Sequence, residues 1–148
     1  MTSGGRHSPT KPNSNESLAM TSVPENAYDR LPYVSYPFPQ SHPNHLAALA
    51  KIFGMNPPPL ANCRVLELGC GNGRITLPMA RAGAAVVGID HSDAMLAALH
   101  RALAAEPPEV RDRVRATQGD LRTFAVDTRF PLVVCPFNTV LHLYTRDD

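Results

Sequence analysis

Residues 65–74 read Val-Leu-Glu-Leu-Gly-Cys-Gly-Asn-Gly-Arg, an apolar strand running directly into three glycines at alternate positions. Few segments constrain a fold as tightly. Gly69, Gly71 and Gly73 have no Cβ, so a turn built on them can lie flat against a ligand. The helix that follows begins with free N–H groups directed at whatever is bound. A strand, a glycine turn and a helix in that order are one βα unit with a binding loop at its apex.

The spacing selects among ligands. A dinucleotide fingerprint of the form GxGxxG needs its third glycine at position 74, which is Arg. A Walker loop is excluded because no Gly-Lys-Ser or Gly-Lys-Thr follows. Glu67, just ahead of the glycines, would repel a pyrophosphate and suits an ammonium group, held directly or through water. The turn therefore predicts a zwitterionic ligand rather than a polyphosphate.

Downstream the pattern alternates. Strands are predicted over 64–68, 85–89, 114–118 and 132–135, and helices over 74–82 and 92–104, the latter with Ser92 as N-cap and Pro107 and Pro108 beyond its end. Alternating strands and helices fold as a parallel sheet with right-handed crossovers, and ligands collect at the carboxyl ends of its strands. The polar residues of interest fall at those ends. Glu67 and the glycines follow the first strand, Asp90 closes the second, Asp120 follows the third, and Pro136, Phe137 and Asn138 follow the fourth. Asp90 lies about 20 positions beyond Gly69, the separation at which an acid meets ribose hydroxyls in a nucleotide-binding βαβ unit. Alone it reads as a helix-capping residue; in register with Glu67 and the glycines, the ribose role is the expectation.

Ahead of this unit, residues 1–27 are rich in Ser, Thr, Asn, Pro and Gly and are expected to be a disordered tail. Residues 28–63 form a second segment. Its first part, 28–43, interleaves Tyr28, Tyr33, Tyr36 and Phe38 with prolines and reads as an extended strap over the domain surface, or as a flap over the ligand. Its second part, 42–53, carries Leu46, Leu49, Ala50 and Phe53 at helical spacing, with Gly54 placed to end the helix. Residues 64–148 are then the binding domain.

Composition narrows the function further. A net charge of +1 offers no broad electrostatic surface for nucleic acid or membrane. No stretch is apolar enough for a signal peptide or a membrane span, so a soluble, cytoplasmic protein is expected. The cysteines, Cys63, Cys70 and Cys135, show no zinc spacing and read as small buried hydrophobes. The histidines show no metal-ligand spacing, and no metal is expected.

From Arg64 to Leu143 the residues resemble the class I S-adenosylmethionine-dependent methyltransferases, most specifically in the first motif, Val65 to Gly73. The resemblance implies a Rossmann-like three-layer α/β/α sandwich with a mainly parallel sheet, and S-adenosyl-L-methionine as cofactor. It implies that Glu67, Gly69, Cys70, Gly71 and Gly73 border the methionine half, with Glu67 placing the amino group. It implies that Asp90 holds the ribose, that Ser92 and Met95 line the ribose and adenine pocket, and that Asp120 and Leu121 meet the base. The segment 137–143 is similar to the fourth-strand motif of small-molecule methyltransferases, which puts Pro136 and Asn138 beside the sulfonium and the incoming nucleophile. His142 is the one nearby candidate general base, but Val140, Leu141 and Leu143 around it suit a helix packed on the sheet, and that structural role is the expectation. The expected activity is in-line methyl transfer to a small-molecule acceptor.

One departure stands out. The family's sheet has about seven strands, and this sequence supplies about four, which leaves the apolar fourth strand with an open edge. A fragment, a partner that completes the sheet, and a degenerate remnant all account for this; a fragment is the expectation. The rival functions are a non-catalytic S-adenosylmethionine-binding module or inactive truncated remnant, and a nicotinamide-dependent reductase, against which Arg74 and Glu67 both argue.

Overall fold

A computed structural model describes residues 38–143. The expected tail and most of the aromatic strap lie outside the described residues. Strand β1 (Arg64–Leu68) is followed by helix α2 (Thr76–Arg81), β2 (Ala85–Asp90), α3 (Asp93–Ala104), α4 (Pro108–Arg111), β3 (Val114–Gln118) and β4 (Leu132–Val134); helix α1 (Pro43–Ile52) precedes them. Short 3-10 turns occupy Pro39–Ser41 and Thr139–His142.

The four strands form one parallel sheet in the order β3-β2-β1-β4. β1 is interior, paired with β2 on one side and β4 on the other, and its three central residues are buried. This is why it reads as a nearly unbroken apolar run. Register places Val65 opposite both Val86 and Leu132, and Val86 opposite Val114. These side chains share one face, where they pack with Met79 and Ala80 of α2 and Val110 of α4. A second cluster, Cys70, Leu77, Leu96 and Leu99, packs against Ala116, which shares that face with Val114.

One helical layer therefore covers the sheet among the described residues. The steps β1 to β2 and β2 to β3 run in the same direction across the sheet, and right-handed crossovers taken in one direction deliver their helices to one side. On the other face Val133 is 53% exposed. The second helical layer of the expected sandwich is not among the described residues.

Local signals account for most helix ends. Ser92 caps α3, its Oγ accepting the Met95 N–H at 3.3 Å, as its sequence position predicts. Gly54, at φ 75°, follows α1. Only Leu46 of the α1 stripe packs against the core; Leu49 and Phe53 are exposed. Helix α2 begins at Thr76 rather than at the expected position 74, because the turn after the glycines carries on through Arg74 and Ile75.

Candidate functional site

The sheet order reverses between β1 and β4, since the chain leaves β3 at one edge and returns on the far side of β1. Loops diverge at such a point and leave a crevice beyond the carboxyl ends of the strands. A cleft of about 660 Å³ opens there, lined by Glu67 and the glycine turn, Asp90 to Ser92, Met95, Asp120 to Arg122 and Pro136 to Thr139. Of the site residues expected from sequence, all but Gly73 lie on its wall.

Gly73 serves packing instead. It holds φ at 87°, and a Cβ there would collide with the Leu99 side chain of α3. Gly69 is similar, for a Cβ would run into the Thr139 side chain. At Gly71 a Cβ would stand 3.2 Å from the Met95 methyl. The missing Cβ atoms thus also make room for the protein's own side chains.

Backbone hydrogen bonds fix the turn. The amides of Gly69 and Cys70 both donate to the Ile89 carbonyl, at 2.8 and 3.1 Å. The Gly71 amide donates to Asp90 Oδ2 at 2.6 Å, and the Ser92 amide to Asp90 Oδ1 at 2.9 Å. Asp90 therefore clamps the glycine turn and starts the α3 cap while its carboxylate faces the cleft. A carboxylate has about four lone-pair sites, so two acceptor positions remain for a ligand.

Glu67 is nearly sealed, with 1% of its surface exposed. Its Oε2 accepts the Thr76 hydroxyl at 2.6 Å. Desolvation raises its pKa to about 8; the Thr76 hydrogen bond and the charge of Arg74 oppose that rise, and the charge of Asp90 adds to it. Burial thus favours the protonated form of this carboxyl at neutral pH. Cys70, beside it, has its side chain pressed against Gly88 of β2, and burial raises the thiol pKa well above its usual value. This cysteine offers the cleft its backbone and the core its sulfur.

Met95, Leu121 and Asp120, the residues expected from sequence near the base, also line the cleft. Asp120 is engaged by Arg122, whose Nε lies 2.9 Å from Oδ1 and whose amide donates to the same oxygen; these bonds hold the carboxyl well below the usual carboxylate range. Thr139 Oγ1 donates to the Pro136 carbonyl at 2.8 Å and turns the loop after β4 onto Gly69. His142 lines the cleft but not on a packed helix. It ends a 3-10 turn with no buried residue, where Val140 and Leu141 are 55% and 69% exposed.

Sequence reasoning gave no site role to several wall residues, chiefly Asn72, Arg74 and His91. Phe137 carries φ 57°, a backbone state that marks strained functional loops, but no sequence pattern signals it. Cys135 was expected to be buried and is exposed, because β4 ends at Val134 and its outer edge is open. Among the described residues no group of three or more His, Cys, Asp or Glu is placed to hold a metal, and no helix is long and apolar enough to cross a membrane.

A parallel sheet with its switch point at β1 and β4, a glycine turn and acids closing the first two strands define a Rossmann-like cofactor-binding protein. Comparison with known proteins is more specific. Residues 65–148, more than half of the chain, match the methyltransferase domain family, and the chain belongs to it. The glycopeptide N-methyltransferase MtfA, solved with S-adenosyl-L-methionine, is 37% identical with a TM-score of 0.57 over 68% of this chain and 44% of its own. Magnesium-protoporphyrin O-methyltransferase of Rhodobacter capsulatus is 40% identical over 44% of this chain and 28% of its own length. Cypemycin N-terminal methyltransferase of a Streptomyces species is 37% identical over 55% of this chain and 31% of its own. The chain thus spans less than half the length of each of these relatives.

Proposed function

We propose that this chain is the cofactor-binding part of an S-adenosylmethionine-dependent methyltransferase acting on a small-molecule acceptor. The observation that carries the reading is the convergence of two strand-end acids, Glu67 and Asp90, on one cleft walled by the glycine turn. The groups present fit the cofactor. Asp90 keeps lone pairs for a ribose diol, Met95 and Leu121 offer soft and apolar surface to a purine, and the sealed Glu67 carboxyl can ionise against an ammonium group.

When bound, the cofactor supplies a sulfonium methyl with a good leaving group, so orientation can provide most of the acceleration. The chain's own residues would do the orienting. Asp90 holds the ribose end and Glu67 the amino group, while Pro136 and Asn138 border the acceptor side, where the Asn138 amide can donate or accept. His142, which lines the same cleft, would take a proton where the nucleophile arrives protonated. Asp120 can face the adenine amine if its pairing with Arg122 leaves an oxygen free to accept.

The relatives' names put methyl groups on nitrogen and on oxygen of chemically unrelated acceptors, so the acceptor is proposed only as a small molecule. Further strands, from more of the same polypeptide or from a partner chain, are proposed to cover the open edge of β4. A second reading, binding without turnover, is favoured by that open edge beside the acceptor side of the cleft.

Calorimetric titration with S-adenosylmethionine and with NADH tests the cofactor. Binding of S-adenosylmethionine alone is expected, and binding of NADH alone would overturn the reading. Assay of methyl release over a panel of amines, hydroxyls and carboxylates then separates the enzyme from the non-catalytic module.

A further inference from the structure

Two arginines line the cleft, and they are used differently. Arg122 is bound to Asp120 through both carboxylate oxygens. Arg74 makes no hydrogen bond or ion pair among the described residues; its guanidinium carbon lies 3.5 Å from the centre of the Phe137 ring and 5.2 Å from that of Phe38.

Stacking of that kind occupies the face of a guanidinium and leaves its N–H edge open. The edge is a planar fork that matches a carboxylate bidentately. The side chain is half-buried, so the charge is partly desolvated and its attraction for an anion is less screened than at an open surface. Phe137 holds its ring there from a backbone at φ 57°, a conformation costly to a non-glycine residue. Phe38 adds a second ring from the chain ahead of α1, and the two rings lie 5.9 Å apart.

Glu67 and Arg74 flank the glycine turn, one just before it and one just after, and the two interact electrostatically. An acid and a base on either side of one loop match the ammonium and carboxylate of an amino-acid zwitterion. We propose that Arg74 is the receptor for the α-carboxylate of the methionine half of the cofactor, with Phe137 as the residue that positions its guanidinium. This rests on the cofactor reading above and extends it from the ammonium to the carboxylate. It also gives position 74, where a dinucleotide fingerprint would need glycine, a use of its own.

The test compares S-adenosylhomocysteine with its decarboxylated counterpart, which keeps the amine and lacks only the carboxylate. Both are titrated calorimetrically into the full chain as wild type, Arg74→Gln, Arg74→Lys and Phe137→Leu, with circular dichroism melts to check folding. Wild type is expected to prefer S-adenosylhomocysteine. Arg74→Gln should lose about ten- to a hundredfold in affinity for it and almost none for the decarboxylated compound. Arg74→Lys and Phe137→Leu should each lose part of that preference, since one keeps the charge without the fork and the other keeps the fork without its platform. Equal losses for both ligands, or no loss in Arg74→Gln, would overturn the carboxylate assignment. Failure of wild type to bind S-adenosylhomocysteine at all would instead overturn the cofactor reading, and this inference with it.

Discussion

Asp90 accepts the Gly71 amide at 2.6 Å, so the acid that ends the second strand also sets the shape of the turn that ends the first. Adjacent parallel strands make this possible. β1 and β2 are paired in register from Arg64 with Ala85 to Leu68 with Ile89, which brings the turn after one strand over the end of the other. The consequence is that ribose recognition and the conformation of the glycine turn are not independent.

Asp90→Ala is therefore expected to weaken S-adenosylmethionine binding by about 1–3 kcal/mol through lost ribose hydrogen bonds. It should also speed hydrogen exchange at Gly71. Titration calorimetry and exchange mass spectrometry read the two effects. Unchanged affinity with unchanged exchange would mean that Asp90 holds neither the ligand nor the turn.

Glu67 makes stability depend on pH. Its ordinary pKa of 4.5 is raised to about 8 by burial, so between those values the folded chain keeps a proton that the unfolded chain has released. Stability is full below about pH 4.5 for this group and falls as the pH rises through about 8. Glu67→Gln should flatten that fall, seen as urea midpoints measured across the window. A variant with the same slope as wild type would assign the pH dependence to other groups.

Gly73→Ala should cost about 1–3 kcal/mol or more, because alanine must take a positive φ and its methyl meets Leu99. Leu99→Ala on the same chain removes the collision but not the backbone strain, at the expense of a cavity. The double variant should thus be less destabilised than the sum of the single changes, measured by denaturant melts. Strict additivity would show that the two side chains do not meet.

Strand β4 exposes a large apolar side chain at an edge of the sheet. Val133 is 53% exposed on a strand with one open edge, and Leu141 nearby in sequence is 69% exposed. The chain by itself is expected to self-associate, and Val133→Lys to reduce this, as seen by light scattering over a concentration series. Equal scattering by the two would locate the sticky surface elsewhere.

Much of the fold was legible in the sequence. The β1 strand and its glycine turn, the Ser92 cap and the end of α1 at Gly54 follow from residues within a few positions of one another. Other features were legible only in part. Glycines at 69, 71 and 73 pointed to a loop against a ligand, yet Gly73 answers to Leu99 and Gly69 to Thr139, partners on distant elements. The segment 139–142 carries the apolar spacing of a packed helix, yet it forms a 3-10 turn in which Val140 and Leu141 are exposed.

The sequence by itself determined the order of strands and helices, which acids stand near the strand ends and that the glycine turn suits a zwitterion, since periodicity, capping and turn chemistry act over short distances along the chain. Only the tertiary structure decided that Glu67 is sealed with Thr76, that Asp90 clamps Gly71, and that Arg74 lies on Phe137. The Asp90 and Arg74 contacts join segments far apart in the chain. They exist because the sheet runs β3-β2-β1-β4, which sets β1 between a strand that follows it closely and one that returns from much later in the sequence.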